Sequence, residues 1–206
     1  MTRRSIAGSA APPRLVAFLR AINVGGHVVR MDELRRVFES LKLRNVETFI
    51  ASGNVLFEGG VSDAARLEQR IERALAQALR YDVGAFIRST EELAGIAAYR
   101  PFGAGEPAGS KLSVVFLKSA PDPAMRRNIE TLRVATDDFH VHGREVYWLC
   151  RGGRMSESPV GARFGKVLGT NGTMRNVTTI RKLVARHAAP RESKRAKGRP
   201  AQASGR

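Results

Sequence analysis

Between residues 15 and 88, short apolar runs and segments of helical period follow one another in the order β-α-β-β-α-β, an order that few folds accept. "RLVAFLR" is apolar and short enough for a strand buried on both faces. "MDELRRVFESLKL" places Met31, Leu34, Phe38 and Leu41 at steps of three and four, with Asp32 and Glu33 in the first turn, where the helix dipole favours anions. "NVETFIASGNVLFEG" reads as two strands, 46–51 and 54–58, turning at Ser52-Gly53-Asn54, where Gly53 can supply the positive φ of a primed turn. "SDAARLEQRIERALAQALR" starts on Ser62 as N-cap and lines up Leu67, Ile71, Leu75 and Ala78. "YDVGAFIRS" supplies a fourth strand over 83–88.

This is the split βαβ order of ferredoxin-like domains, in which the first and second strands run parallel with the third between them. Their carboxyl ends then share one edge. In the first strand Val16 and Phe18 point one way and Leu15, Ala17 and Leu19 the other, so neither face of the sheet is wet. The sheet's own helices cover one face, and the second half of the chain is expected to cover the other.

That second half is less regular. Ser89-Thr90-Glu91-Glu92 is a capping box, and Pro101 stops the helix it opens. "PFGAGEPAGS" marks an internal boundary. "KLSVVFLK" reads as a strand, "PDPAMRRNIETL" as a helix capped by Asp122 with Pro123 at its first position, and "DDFHVHGREVYWLC" as a hairpin about His142-Gly143-Arg144. "SPVGARFGKVLG" is a short helix capped by Ser158, and "TMRNVTTIRKLVARH" a helix with Val177, Ile180 and Val184 on one face. The order β-α-β-β-α-α looks like an incomplete second copy of the first half, without evident sequence repetition.

The expected fold is therefore α+β: a ferredoxin-like β-α-β-β-α-β first half packed against a smaller, incomplete β-α-β-β-α-α second half. The expected organisation is a flexible arm at 1–13, a ferredoxin-like domain at 14–100, a linker at 101–110, a second α+β subdomain at 111–187 and a disordered basic tail at 188–206.

Composition narrows the classes of function. The lone cysteine, Cys150, excludes an intrachain disulfide and suits a reducing compartment, so a cytoplasmic protein is expected. No run reaches the roughly 18 apolar residues of a spanning helix, and the first residues lack the apolar core of a signal peptide, so no membrane partner is expected. Lys and Arg number 35 against 19 Asp and Glu, a net charge of +16. The tail alone carries Arg191, Lys194, Arg195, Lys197, Arg199 and Arg206 against Glu192. Such a tail either attracts nucleic-acid phosphates without sequence preference or serves as a solubilising terminus.

The glycine loop at 21–30 lies between a strand and a helix, where backbone N–H groups can approach an anion at the positive helix end. It matches neither the dinucleotide nor the P-loop signature. The topology adds to it, because Arg20, Asn23, Gly25 and Gly26 fall on the same edge as Ser52, Gly53 and Asn54. One arginine, two carboxamides, a hydroxyl and free amides suit a phosphate or carboxylate. The alternative is that Asn23 and Asn54 only satisfy turn backbone.

His140 and His142 share a strand face, yet no further ligand has zinc spacing with them, so no metal is expected. His27 is an ordinary loop histidine, and Cys150 after "YWL" fits a buried small residue better than a nucleophile. No G-x-S-x-G, H-E-x-x-H or C-x-x-C occurs, so catalytic residues and cofactors stay unknown. Phe18 and Phe57 stand where an RNA-binding sheet would stack bases, but the third strand lacks the accompanying basic and aromatic pattern and both rings fit a core.

"FLRAINVGG", "MDELRRVFESL", "NVETFIASGNVLF" and "TMRNVTTIRKL" resemble, in order and spacing, the bacterial family known as domain of unknown function sixteen ninety-seven, over residues 15–187. The resemblance implies an α+β fold with a ferredoxin-like part and no established activity. Its recurrent polar positions fall on Arg20, Asn23, Gly25, Gly26, Ser52, Gly53 and Asn54, and later on Arg175 and Asn176. Three functions are compatible with these residues. The first is capture of a small anion or nucleotide at the glycine-loop and hairpin edge, with Arg175 closing over it. The second is nucleic-acid association through the basic surface and residues 188–206. The third is an enzyme acting on a small phosphorylated or carboxylated substrate.

Overall fold

The computed structural model describes residues 13–23, 26, 28–50, 53–60, 63–103 and 108–188. Apart from Pro13 and Ala188, the expected arm and basic tail lie outside the described residues, as do Gly25, His27, Ser52 and positions 104–107 of the expected linker.

The first half runs β1 (Arg14–Arg20), α1 (Met31–Ser40), β2 (Arg44–Phe49), β3 (Asn54–Glu58), α2 (Ala64–Leu79) and β4 (Gly84–Ser89). Its sheet has the order β2-β3-β1-β4 and is antiparallel at every pairing, so β1 and β2 point the same way with β3 between them. Leu15, Ala17 and Leu19 of β1 lie under Leu34 and Phe38 of α1 and Leu67, Ile71 and Leu75 of α2, the apolar stripes read from their helical spacing. The cap of α2 is Asp63, whose carboxylate accepts from the N–H groups of Ala65 and Arg66; Ser62, the expected cap, lies outside the described residues. A carboxylate one position nearer the helix meets two orphan donors and the positive end of the dipole together.

A seventh element, α3 (Thr90–Ala98), follows β4 without a loop. Ser89 accepts from the Glu92 N–H at 3.1 Å while the Glu92 carboxylate accepts from the Ser89 N–H at 2.7 Å, the reciprocal box expected from the spacing.

The second half contains β5 (Lys111–Leu117), α4 (Pro123–Glu130), β6 (Asp137–His142), β7 (Glu145–Cys150), a single 3₁₀ turn at Met155–Glu157, α5 (Gly161–Leu168), β8 (Gly172–Asn176) and α6 (Val177–Ala188). It is a complete copy, not the incomplete one expected. Its antiparallel sheet order, β6-β7-β5-β8, repeats the first, and α6 follows β8 as α3 follows β4. The overlooked strand is β8, "GTMRN", which carries little apolar pattern because it is an edge strand paired only through its register with β5. Ser158 does not cap α5 either. Its hydroxyl donates to Asp137 Oδ1 at 2.9 Å, beside the Trp148 indole N–H at 2.7 Å, and the helix starts three residues later.

The two sheets close on each other. Val16, Phe18, Leu56 and Phe86 from one meet Leu112, Val114, Phe116, Tyr147 and Leu149 from the other, flanked by Leu93, Ile96 and Ala97 of α3 and Val177, Ile180 and Leu183 of α6. Fully burying one such side chain contributes about 1.5–3 kcal/mol. The open face of the first sheet is covered by the second half, as its two-sided strand requires.

Candidate functional site

The expected ligand edge divides into three groups. The two bends do adjoin: the Leu19 N–H donates to the Gly53 carbonyl at 2.8 Å, and a Cβ on Gly53 (φ 72°) would come within 2.7 Å of Ile22 Cγ2. Within the glycine loop, Asn23 Oδ1 accepts from the Val29 N–H at 3.0 Å, which ties the loop to itself, and Gly26 (φ 84°) is exposed. Asn176 Oδ1 accepts from the Thr178 N–H at 2.8 Å and so serves the start of α6.

The second group is buried. Asn54, fully buried at the start of β3, donates through Nδ2 to the Phe49 carbonyl at 2.9 Å and accepts from Arg175 Nε at 2.6 Å. Arg175 also donates through Nη2 to the carbonyls of Leu19 (2.8 Å) and Gly53 (3.3 Å), and through Nη1 to Thr173 Oγ1 (2.9 Å) and the Met174 carbonyl (2.8 Å). Burial lowers its pKa to about 10, so the guanidinium stays charged at neutral pH. Its donors are directed at protein acceptors, and it ties β8 to the carboxyl end of β1.

Arg88 of β4 makes the mirror set of bonds into the second half. Nε donates to Glu145 Oε1 (2.6 Å), Nη2 to the carbonyls of Leu117 (2.8 Å) and Arg144 (3.4 Å), and Nη1 to the Ile87 carbonyl (2.7 Å). Leu117 follows Phe116 as Leu19 follows Phe18, Glu145 opens β7 as Asn54 opens β3, and the Leu117 N–H donates to the Arg144 carbonyl as Leu19 does to Gly53. Each half therefore inserts one arginine into an equivalent socket of the other. The sockets differ in charge: Arg175 meets a neutral carboxamide, Arg88 a carboxylate.

The third group holds the exposed chemistry. Arg20 leaves the buried edge and lines a cleft of about 390 Å³ with Glu72, Arg73, Asp82, Lys118 and Thr170. The cleft lies where the central strands of both sheets end. Arg20 is the residue after Leu19 and Lys118 the residue after Leu117, so equivalent positions deliver one cation each to one opening. Each crosses to the other half, Arg20 donating to the Gly169 carbonyl at 3.3 Å and Lys118 to Glu72 Oε1 at 2.6 Å.

Arg73 and Lys118 escape a reading based on local motifs, since each is an ordinary charged residue in its own segment. A signal does exist: "VAFLR" at 16–20 recurs as "VVFLK" at 114–118, the same strand end with a basic residue at its close. Among the described residues no group of three His, Cys, Asp or Glu side chains is placed to hold a metal. Nor is any helix among them long and apolar enough to cross a membrane. Cys150 is buried, which pushes its thiol pKa up and keeps it in the unreactive protonated form.

Fold and site together define an α+β protein of two like sheets, locked by buried arginines, with a basic cleft at the shared strand ends. The chain belongs to the family described as protein of unknown function (DUF1697), whose model matches residues 13–147. Its fold is similar to that of the conserved bacterial protein SP0830 from Streptococcus pneumoniae, with 22% sequence identity, a TM-score of 0.64, and coverage of 85% of this chain and 98% of that one. No curated protein matches the chain.

Proposed function

We infer that the protein binds a small phosphorylated or carboxylated metabolite in the cleft between Arg20 and Lys118. The observation that carries this reading is the convergence of two basic side chains, from equivalent places in the two halves, with Arg73 beside them. Glu72 and Asp82 offset part of that charge, but Glu72 is already engaged by Lys118 and by the Ala85 N–H at 2.9 Å. A phosphate or carboxylate that displaces Glu72 from Lys118 gains charge-assisted bonds to two or three donors. The net charge of +16 raises the local concentration of anions around any such cleft.

Of the residues singled out from the sequence, Arg20 carries the ligand, while Asn23, Gly53, Asn54 and Arg175 shape and brace the strand end that presents it. The test is calorimetric titration of the protein with inorganic phosphate, a nucleoside monophosphate and citrate. Arg20→Ala and Lys118→Ala should each weaken the best of these by about tenfold, the worth of one charge-assisted bond. Affinity unchanged by Arg20→Ala, or no heat with any of the three at millimolar concentration, rejects the reading.

A further inference from the structure

A second cleft, of about 360 Å³, opens between α3 and the β6–β7 hairpin. Its wall is aromatic: the Tyr99 ring stacks on His142 at 4.2 Å between centroids and is backed by the fully buried ring of Tyr147 at 5.2 Å. Tyr99 is itself fixed by a hydrogen bond between its hydroxyl and His140 Nε2 at 2.9 Å. Ile96 adds apolar surface. The carboxylates of Glu92 and Glu145 also line the cleft, each engaged by an arginine, and two polar groups that can donate have bonding capacity left. The His142 ring has no hydrogen-bond partner among the described residues, and the Arg144 guanidinium spends one N–H on Glu92 Oε1 at 2.7 Å with no other protein acceptor among them.

Gly95 supplies an independent observation. It sits inside α3, where glycine costs about 0.5–1 kcal/mol relative to alanine. Nothing in the fold asks for it: it has no positive φ, and a Cβ built there meets no atom within 4 Å. What its missing side chain does is leave the cleft open.

The equivalent groove in the other half shows the contrast. Gly95 is the sixth residue of α3 and Tyr99, its C-cap, lies four residues further on; the sixth residue of α6 is Lys182 and the one four further on is Arg186. There the Arg186 guanidinium lies 5.9 Å above Phe49 and 3.5 Å from Glu47 Oε2. A protein side chain rests on the aromatic surface of that groove and satisfies its own charge there.

We propose that the Tyr99–His142 cleft is a binding site for a small planar aromatic acid. The ring lies against Tyr99 above Gly95, and the carboxylate accepts from Arg144 and the His142 ring. The volume admits a one-ring acid. Stacking and a charge-assisted bond then act on opposite ends of one ligand.

Titration of the full chain with benzoate, cyclohexanecarboxylate and benzamide tests this. Benzoate should bind at least about tenfold more tightly than either the non-planar acid or the neutral amide, since each lacks one of the two interactions. Gly95→Leu should abolish benzoate binding with the thermal midpoint unchanged or raised, and Arg144→Gln should weaken it by about tenfold. Arg20→Ala, in the other cleft, should leave it unchanged. Benzoate binding that survives Gly95→Leu or disappears with Arg20→Ala, equal affinity for all three probes, or no binding at millimolar concentration overturns the proposal.

Discussion

Phe18 and Phe116 stack ring on ring, with centroids 4.1 Å apart and planes 11° from parallel, and each holds the same place in the central strand of its sheet. The guanidinium of Arg175 lies 5.6 Å from the Phe18 centroid, and that of Arg88 lies 5.4 Å from the Phe116 centroid. The two halves thus meet through paired copies of one motif. An aromatic contact sits at the centre and a crossed arginine on each side.

The unequal sockets make the arginines unequal. Arg88→Ala leaves the Glu145 carboxylate, 7% exposed, without its partner and should cost about 3–5 kcal/mol. Arg175→Ala strands a neutral carboxamide and carbonyls and should cost about 2–3 kcal/mol. Urea unfolding of both variants measures the difference, and a larger loss for Arg175→Ala contradicts the charge assignment.

Two glycines should respond in opposite senses to alanine. Gly53→Ala forces a Cβ against Ile22 at positive φ and should destabilise by more than about 1 kcal/mol. Gly95→Ala adds a methyl into open space on a helix and should stabilise by about 0.5–1 kcal/mol. Thermal melts of the pair decide it.

Glu68 gives a pH signature. Its carboxylate accepts from the outward N–H of Ile87 on the edge strand β4 at 2.8 Å, and burial raises its pKa above the ordinary 4.5. An acid raised in the folded state is protonated there longer than in the unfolded chain. Its favourable contribution is therefore present at acid pH and declines as pH rises past about 4.5. Glu68→Gln keeps an acceptor for Ile87 without the buried charge. The variant should be more stable than the parent at pH 7, and the gap should close as pH falls below about 4.5, which denaturant titrations across that range follow. A gap that widens toward acid contradicts this.

Glu72 should act as a competitor in the Arg20 cleft. Glu72→Gln retains an acceptor for the Ala85 N–H and releases Lys118 from its ion pair, so phosphate should bind several-fold more tightly. Weaker binding in that titration would place the anion elsewhere.

Much of the first half is legible in the chain because its signals are local. The apolar steps of α1 and α2, the capping box at Ser89 and Glu92, and the positive-φ turn at Gly53 all depend on neighbours within a few residues. Asp63 in place of Ser62 is a slip of one position between two good capping residues. The missing strand β8 is a different kind of error. "GTMRN" has no period of its own and becomes a strand only because β5, more than fifty residues earlier, offers it an edge.

Taken alone, the amino-acid order determined the mixed α+β class, the elements of the first half, their antiparallel arrangement and the place of Arg20 at a strand end. Only the tertiary structure decided that the second half repeats the first completely, that Arg175 is a buried tie, and that Lys118 and Arg73 join Arg20 around one opening. The physical reason is range. Helix period, caps and turns are energies of adjacent residues, whereas Arg175 and Asn54 are 121 positions apart and meet only when two sheets have closed on a common core.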